Sequence, residues 1–377
     1  MSGEGNSMTK QAEKHAGNLL KLKDSQKISG FKSFFCGHKV IFHKSVRAFL
    51  IMLTVLFAAA CLQSCRSSEP SFSKTGIYFD TVVTITLYGD DSRLFDGCFE
   101  LCASYEKLFD RNRQDSDIAR INANSRKGIY TEVDAETIAL LEDALRYAVM
   151  TKGRFDITVG ELTSLWDYNN QKVPDENTVR QCVSRIGYAQ LLIEGNRVLL
   201  KNTDASLDVG GIAKGYIADK LKEYLQNAGV KRGMINLGGN ILLLGDKPDH
   251  TAYHIGIQMP FAADGTTIAV LSASDCAIVT SGVYERYFYE GDTLYHHILD
   301  TTTGYPVDNG LLSVTILADN ATEADSLSTG VFALGLKEGK TLVESLNQVE
   351  AVFVDEDGQV ILTSGLKETK QGIRISQ

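Results

Sequence analysis

After Arg47 the chain reads AFLIMLTVLFAAACLQSC, eighteen residues (48–65) without a charge, and no other stretch constrains it as much. The 47 residues before it hold nine Lys or Arg against three Asp or Glu, whereas everything after Arg47 holds 29 against 44. A basic region, an apolar run and small residues before a cysteine read as a secretion signal, which is not part of the fold. Either Cys61, after Ala-Ala-Ala, or Cys65, after Leu-Gln-Ser, could accept the lipid of a bacterial lipoprotein. Cys65 is preferred, because the apolar run continues through Leu62 and polar SCRSSEPS follows. An uncleaved anchor is the alternative, since about 18 apolar residues is near the lower limit for a spanning helix. The leader is long for a signal, so a translation start downstream of Met1 is also open. The expected division is a basic leader and lipoprotein signal over 1–65, a polar tether over 66–75 and one folded domain over 76–377. The expected location is the bacterial cell envelope, lipid-anchored, with the domain on the periplasmic side.

The acidic remainder argues against a nucleic-acid partner, which would want a basic stripe. Cys98, Cys102, Cys182 and Cys276 are too sparse for a disulfide framework. Cys98 and Cys102 lie four apart on an apolar helical face, and with no second Cys or His pair at zinc spacing they read as core.

Periodicity divides the domain in two. GIYFDTVVTITLYG alternates Val83, Ile85 and Leu87 with Thr, as in a half-buried strand. DSRLFDGCFELCASYEKLFDR and DAETIALLEDALRYAVMTKG repeat apolar residues every three and four, the second with Asp134 as N-cap and an end near Gly153. PDENTVRQCVSRIG predicts a third helix after Pro174. From Leu191 short strands dominate: a hairpin in LLIEGNRVLL, a helix over 213–228, then GMINL, YHIGIQ, TIAVLSA, RYFYE, LYHHILD and LLSVTILA. One more helix, TEADSLSTGVFALG, precedes a last hairpin, AVFVDEDGQVILT. Mixed strands and helices with many hairpins predict an α+β fold: one large domain of mixed sheets with flanking helices and a helix-rich N-terminal part.

Three segments carry candidate chemistry. SLDVGGIAKGY places an acid, two glycines and Lys214 at the start of a helix, a plausible cradle for a pyrophosphate; it is neither a Walker A loop nor a dinucleotide fingerprint and reads equally as a structural turn. In TEADSLSTG the Asp325 carboxylate and Thr329 hydroxyl share one helical face, and such a pair with phosphates and water suits Mg²⁺. The plain alternative is a capping Asp and a hydroxyl bonded back into its own helix. In HHILDTTTGYPV two adjacent histidines offer a base that titrates near neutrality, and alternation along a strand lets only one face a given site.

In order along the chain, FDTVVTITLYG, GRFDITVGELTSLW, LDVGGIAKGYIAD, INLGGNILLLG, TSGVYERYF, HHILDTTTGYP and ATEADSLSTG together resemble the ApbE-type FAD:protein FMN transferases, from about Tyr78 to Gly335. The resemblance implies an ApbE-like, T-fold-like domain that binds FAD with Mg²⁺ and cleaves its pyrophosphate. FMN would be joined by a phosphoester to a Thr or Ser of a partner protein, and AMP released. It implies that the backbone at Arg154, Phe155 and Asp156 and the side chains of Asp208 and Lys214 contact FAD, with Ile298 against the flavin nucleotide. The Gly211 carbonyl, Asp325 and Thr329 would ligate Mg²⁺, and His297 is the implied catalytic residue, held in place by Asp300 and the Thr-Gly-x-Pro turn.

The sequence departs from the family's pattern at four places. Phe79 stands where many members have Met beside the ligand, Asn112 where Tyr is frequent near the nucleotide, Asn240 for Asp in LGGD, and Thr301 for Pro. None removes a metal ligand or the histidine, although Asn112 bears on the balance between storing, hydrolysing and transferring flavin. Glu285 and Arg286 read as a structural ion pair. The rivals are an FAD pyrophosphatase, with water as acceptor, and a lipoprotein that only carries FAD. The resemblance points to membrane electron-transfer subunits as partners, such as those of sodium-pumping NADH dehydrogenases or Rnf-type complexes. No Ser-Gly-Ala-Thr-like site occurs in the chain itself, so self-modification is not expected.

Overall fold

The computed structural model describes Met52 and residues 69–89, 92–370 and 372–375. The basic leader and both candidate lipid-bearing cysteines lie outside the described residues. The strands β1 (Ser71–Tyr78) and β2 (Thr81–Tyr88) pair antiparallel from Ser71↔Tyr88 to Tyr78↔Thr81, and Phe79 and Asp80 between them both take φ 55°. Two left-handed residues give a turn whose twist matches the paired strands. Two expectations change here. GIYFDTVVTITLYG is a hairpin rather than one strand, and the tether expected over 66–75 is sheet from Ser71 onward. Its polar residues suit an outer strand: Ser73 and Thr75 bond across the pair to the Thr86 and Thr84 hydroxyls, at 2.5 and 3.1 Å.

The N-terminal part is helix-rich, as expected: α1 (Leu94–Phe109), α2 (Asp117–Ser125), β3 (Thr131–Glu132), α3 (Ala135–Met150), α4 (Gly160–Leu165) and α5 (Glu176–Val183). Asp134 caps α3 by accepting from the Glu136 N–H at 2.9 Å. The helices α2 and α4 were not anticipated; nine and six residues are too few for a periodic signal to stand out. Then come β4 (Leu191–Glu194), β5 (Arg197–Leu200), α6 (Ala213–Asn227), β6 (Gly233–Leu237), β7 (Asn240–Leu244), β8 (Tyr253–Gln258), β9 (Thr267–Ala273) and β10 (Ala277–Gly282). The order closes with β11 (Tyr287–Glu290), β12 (Thr293–His296), β13 (Leu311–Ala318), α7 (Ala321–Glu344), β14 (Glu350–Asp355), β15 (Val360–Leu362), β16 (Leu366–Thr369) and β17 (Gly372–Ile375). The expected end of the last helix, Gly335, is a kink with φ 78°, beyond which the chain is helical again.

An eight-stranded sheet in the order β1-β2-β6-β7-β10-β13-β14-β15, antiparallel throughout, is the backbone of the domain. Both of its faces are covered. On β7, Leu242 and Leu244 join the large core under the helices, while Leu243 joins a second core with Tyr253, Ile255 and Leu271 of the four-stranded sheet β16-β17-β9-β8. Burial on both sides is why INLGGNILLLG reads as a continuous apolar run rather than an alternating one. The fold is therefore α+β.

The contact that positions the site is between α6 and α7. A Cβ on Gly215 would collide with the Ala321 carbonyl and stand 2.7 Å from the Asp325 Cβ, so only glycine lets these helix starts approach. The approach is sealed in both directions. Asp325 accepts the Gly215 N–H (2.9 Å), and Asp219 accepts the Ala321 and Thr322 N–H groups (both 2.8 Å) and the Thr322 hydroxyl (2.6 Å). Each helix thus uses the other's carboxylate on its unpaired N-terminal donors. Among the described residues no helix is long and apolar enough to cross a membrane.

Candidate active site

The site is built where the loop before α6 meets the first turns of α7. Segment 206–208 runs alongside 157–160, tied by Asp208 N–H to Ile157 O (2.8 Å) and Gly160 N–H to Ser206 O (2.9 Å). Asp208 accepts the Arg111 guanidinium (2.7 Å) and the Thr163 hydroxyl (2.8 Å) on one oxygen and the Gly210 N–H (3.0 Å) on the other. Burial raises its pKa, but the Arg111 charge and these hydrogen bonds outweigh burial and hold it below the usual carboxylate range. After the turn, Lys214 donates to the Gly210 carbonyl (3.2 Å) and lies 3.9 Å from the Asp325 carboxylate.

Asp325 and Thr329 do share a face of α7, and that face meets the glycine turn. A Cβ on Gly211 would stand 3.7 Å from the Thr329 hydroxyl and 3.2 Å from the Phe155 ring. The Thr329 hydroxyl lies 3.3 Å from that of Ser281 on β10, which also meets Ser328 (2.8 Å). Asp325 does not cap its own helix. Asn320 does, accepting the Glu323 N–H, and Asp325 reaches across to α6 with one oxygen while the other faces Lys214. No group of three or more His, Cys, Asp or Glu side chains forms a cation cage among the described residues. One buried carboxylate, a hydroxyl and an adjacent glycine turn nonetheless fit Mg²⁺, which takes few protein ligands and completes its shell with phosphate and water.

The two histidines sit in different surroundings, His296 at the end of β12 and His297 in the bend after it. His296 is buried, with its Nε2 against the Val307 carbonyl (3.0 Å) and its Nδ1 accepting the Ile298 N–H (3.3 Å), which makes it the Nε2–H tautomer. His297 follows β12 in a bend and hydrogen-bonds through its backbone N–H to the Arg286 carbonyl (3.1 Å). Its Nδ1 is shielded from solvent, and no partner among the described residues reaches it. Burial first, then the charges of Arg286, His296 and Lys214, push its pKa down to about 3, so the ring is a neutral base.

The ApbE family model matches residues 79–353. The chain belongs to the ApbE family. It is 32% identical over 302 residues to a Klebsiella pneumoniae protein named FAD:protein FMN transferase, covering 79% of this chain and 93% of that one. A Treponema pallidum protein of the same name is 30% identical over 337 residues, covering 83% and 93%. Among solved structures, an ApbE protein of Thermotoga maritima superposes with a TM-score of 0.72 at 31% identity, over 78% of this chain and 97% of that one. The flavin transferase ApbE of Vibrio cholerae does so at 0.68 and 27%, over 81% and 96%.

The site residues expected from the ApbE resemblance come together only in part. Gly211, Lys214, Asp325, Thr329 and Phe155 meet, and His297 feels the Lys214 charge. Around Arg154 and Phe155 the backbone N–H groups are already taken, by the Thr151 carbonyl and hydroxyl (both 3.0 Å). The Asp156 carboxylate is structural, accepting Thr158 N–H (2.8 Å), its hydroxyl (2.7 Å) and Tyr188 N–H (2.7 Å). Asp208, expected to reach FAD through its side chain, has both oxygens engaged within the protein. Ile298 is buried beside the histidines. Asn112 is exposed, next to Arg111 in the chain, and its N–H donates to the Asp110 carboxylate (2.8 Å). Phe79 lies in the β1–β2 turn, where its N–H donates to Glu106 on α1 (2.8 Å).

Asp300 binds the Arg154 guanidinium (2.8 Å) and Thr302 rather than His297, so it anchors the turn and acts on the histidine only through the backbone. The expected Glu285–Arg286 pair is not among the ion pairs within 4.0 Å of the described residues. Both residues lie in the bend between β10 and β11. Sequence reasoning singled out neither Arg111 nor Ser281, although Ser281 lies within TSGVYERYF; their contacts with Asp208 and Thr329 are tertiary.

Proposed function

We propose that the protein is a Mg²⁺-dependent FAD:protein FMN transferase. The observation that carries this reading is the meeting of Lys214, Gly211, Asp325 and Thr329 at one loop, within the electrostatic reach of a histidine whose buried Nδ1 has no partner among the described residues. Asp325, Thr329 and the Gly211 carbonyl would hold Mg²⁺, which when bound neutralises charge on the diphosphate. Lys214 gives up the Gly210 carbonyl for a diphosphate oxygen, and His297 accepts the proton of a Thr or Ser hydroxyl of the acceptor protein. That oxygen bonds to the phosphorus carrying riboflavin, the P–O bond to the adenylate phosphate breaks, and AMP leaves. Bound diphosphate also offsets the Lys214 charge that depresses His297, so the base strengthens when substrate is present.

A second activity of the same site is FAD hydrolysis, in which water replaces the hydroxyl; the exposed Asn112, beside Arg111 in the chain and where the family often has Tyr, supports it. The basic leader and apolar run support a lipid-anchored protein of the bacterial envelope, with the domain on the periplasmic side and membrane electron-transfer subunits as acceptors. Incubation with FAD, Mg²⁺ and a Ser-Gly-Ala-Thr peptide tests the reading. Mass spectrometry should show the peptide gaining FMN; free FMN and AMP alone would mean a pyrophosphatase, and intact FAD a carrier.

A further inference from the structure

We propose that Arg111 is a positioning residue for the FAD diphosphate, locking Asp208 so that the Gly210–Gly211 turn holds Lys214 ready. This rests on the flavin-transfer reading above. Arg111 belongs to neither element that it joins. From the segment after α1, its Nη1 reaches Asp208 and the Thr163 hydroxyl (both 2.7 Å), and its Nη2 reaches the Gly160 carbonyl (3.1 Å) and the Ser164 hydroxyl. A planar fork makes all four contacts at once, and an ammonium does not. The grip continues as a chain: Arg111 to Asp208 at 2.7 Å, Asp208 to Gly210 N–H at 3.0 Å, Gly210 carbonyl to Lys214 at 3.2 Å. The carbonyl is the one hydrogen-bond partner of the Lys214 ammonium among the described residues, and Asp325 waits at 3.9 Å. If Asp208 swings away, Gly210 loses its tether and Lys214 relaxes onto Asp325, where its charge is spent on the carboxylate instead of the diphosphate.

The test uses Arg111→Lys, Asp208→Asn and the double variant, with Thr163→Val as a milder cut in the same chain. FAD affinity is read by flavin fluorescence in EDTA, with chromatography confirming intact FAD, and folding by thermal melting. Arg111→Lys should bind FAD about tenfold more weakly, as expected for lost charge-assisted hydrogen bonds. Asp208→Asn should lose a similar factor and the double variant no more than either single one. In turnover the KM for FAD should rise while the KM for the Ser-Gly-Ala-Thr peptide stays put. Unchanged FAD affinity in folded Arg111→Lys, or losses that multiply in the double variant, overturns the proposal. Should Arg111→Lys fail to fold, Thr163→Val and Asp208→Asn decide by the same titration. A wild-type protein that binds FAD yet never modifies the peptide sinks the transfer reading and leaves the binding comparison to judge Arg111.

Discussion

His297 and His296 differ in what a truncation would leave behind. His297→Ala removes an imidazole whose Nδ1 bonds to nothing among the described residues, so FAD binding should persist while FMN transfer falls by ~10²-fold or more. His296→Ala strands the Val307 carbonyl and the Ile298 N–H, so its main effect should be about 1–3 kcal/mol of stability, read by denaturant melts. If His296→Ala is the variant that loses transfer with its stability intact, the base is misassigned. The depressed pKa of His297 also has a sign. The unfolded ring binds its proton at a pH of about 6.5, well above the folded value of about 3. Its contribution to stability is therefore complete above the unfolded value and lost as pH falls toward 3. His297→Gln should flatten the fall in urea midpoint between neutral and mildly acidic pH; a slope identical to wild type would contradict the burial argument. Asp325 has two duties that Asn separates. Asp325→Asn keeps an acceptor for the Gly215 N–H but loses the charge, so the protein should fold and turn over no FAD, whereas full activity in this variant and in EDTA would leave Asp325 a structural residue only.

At the scale of elements, the α6–α7 crossing couples folding to the site. Gly215→Ala should cost about 1–3 kcal/mol, because the added methyl meets the Ala321 carbonyl and the Asp325 Cβ. It should also weaken FAD binding, since pushing α7 away carries Asp325 and Thr329 from the glycine turn. Denaturant midpoints and FAD titration check both; a Gly215→Ala protein as stable as wild type would mean that the helices part freely. The reciprocal carboxylates were only half legible. Asp325 looked like a cap of its own helix by sequence position, but its oxygen lies on the neighbouring helix, and spacing along one chain segment cannot report that. The β11–β12 ribbon follows the same rule. Phe288 and Tyr295 stack at 5.3 Å and pack on Tyr168 and Trp166, which fastens the strand that leads into His297 to the segment after α4. RYFYE and LYHHILD announce strands, but not what they lean on.

For the whole molecule, the proposed envelope location gives its own test. The mature protein should begin at an acylated Cys65 or, second, Cys61, and mass analysis of membrane-extracted protein that keeps residues 1–60 unmodified would refute it. Strand from Ser71 leaves a shorter polar spacer between such a lipid and the sheet than composition suggested. Sequence by itself determined the α+β class, the helix-rich first half, the cap at Asp134, the start of a helix at Lys214 and the shared helical face of Asp325 and Thr329. Those features are written in period, in turn chemistry and in ordered motifs, all of which are local. Tertiary structure alone decided which histidine is satisfied, that Asp208 is held by Arg111, that Asp325 serves α6, and that Gly211 stands against Thr329. Each of these joins residues far apart in the chain through distances of a few ångströms, and such distances depend on how helices and sheet pack, which no single segment encodes.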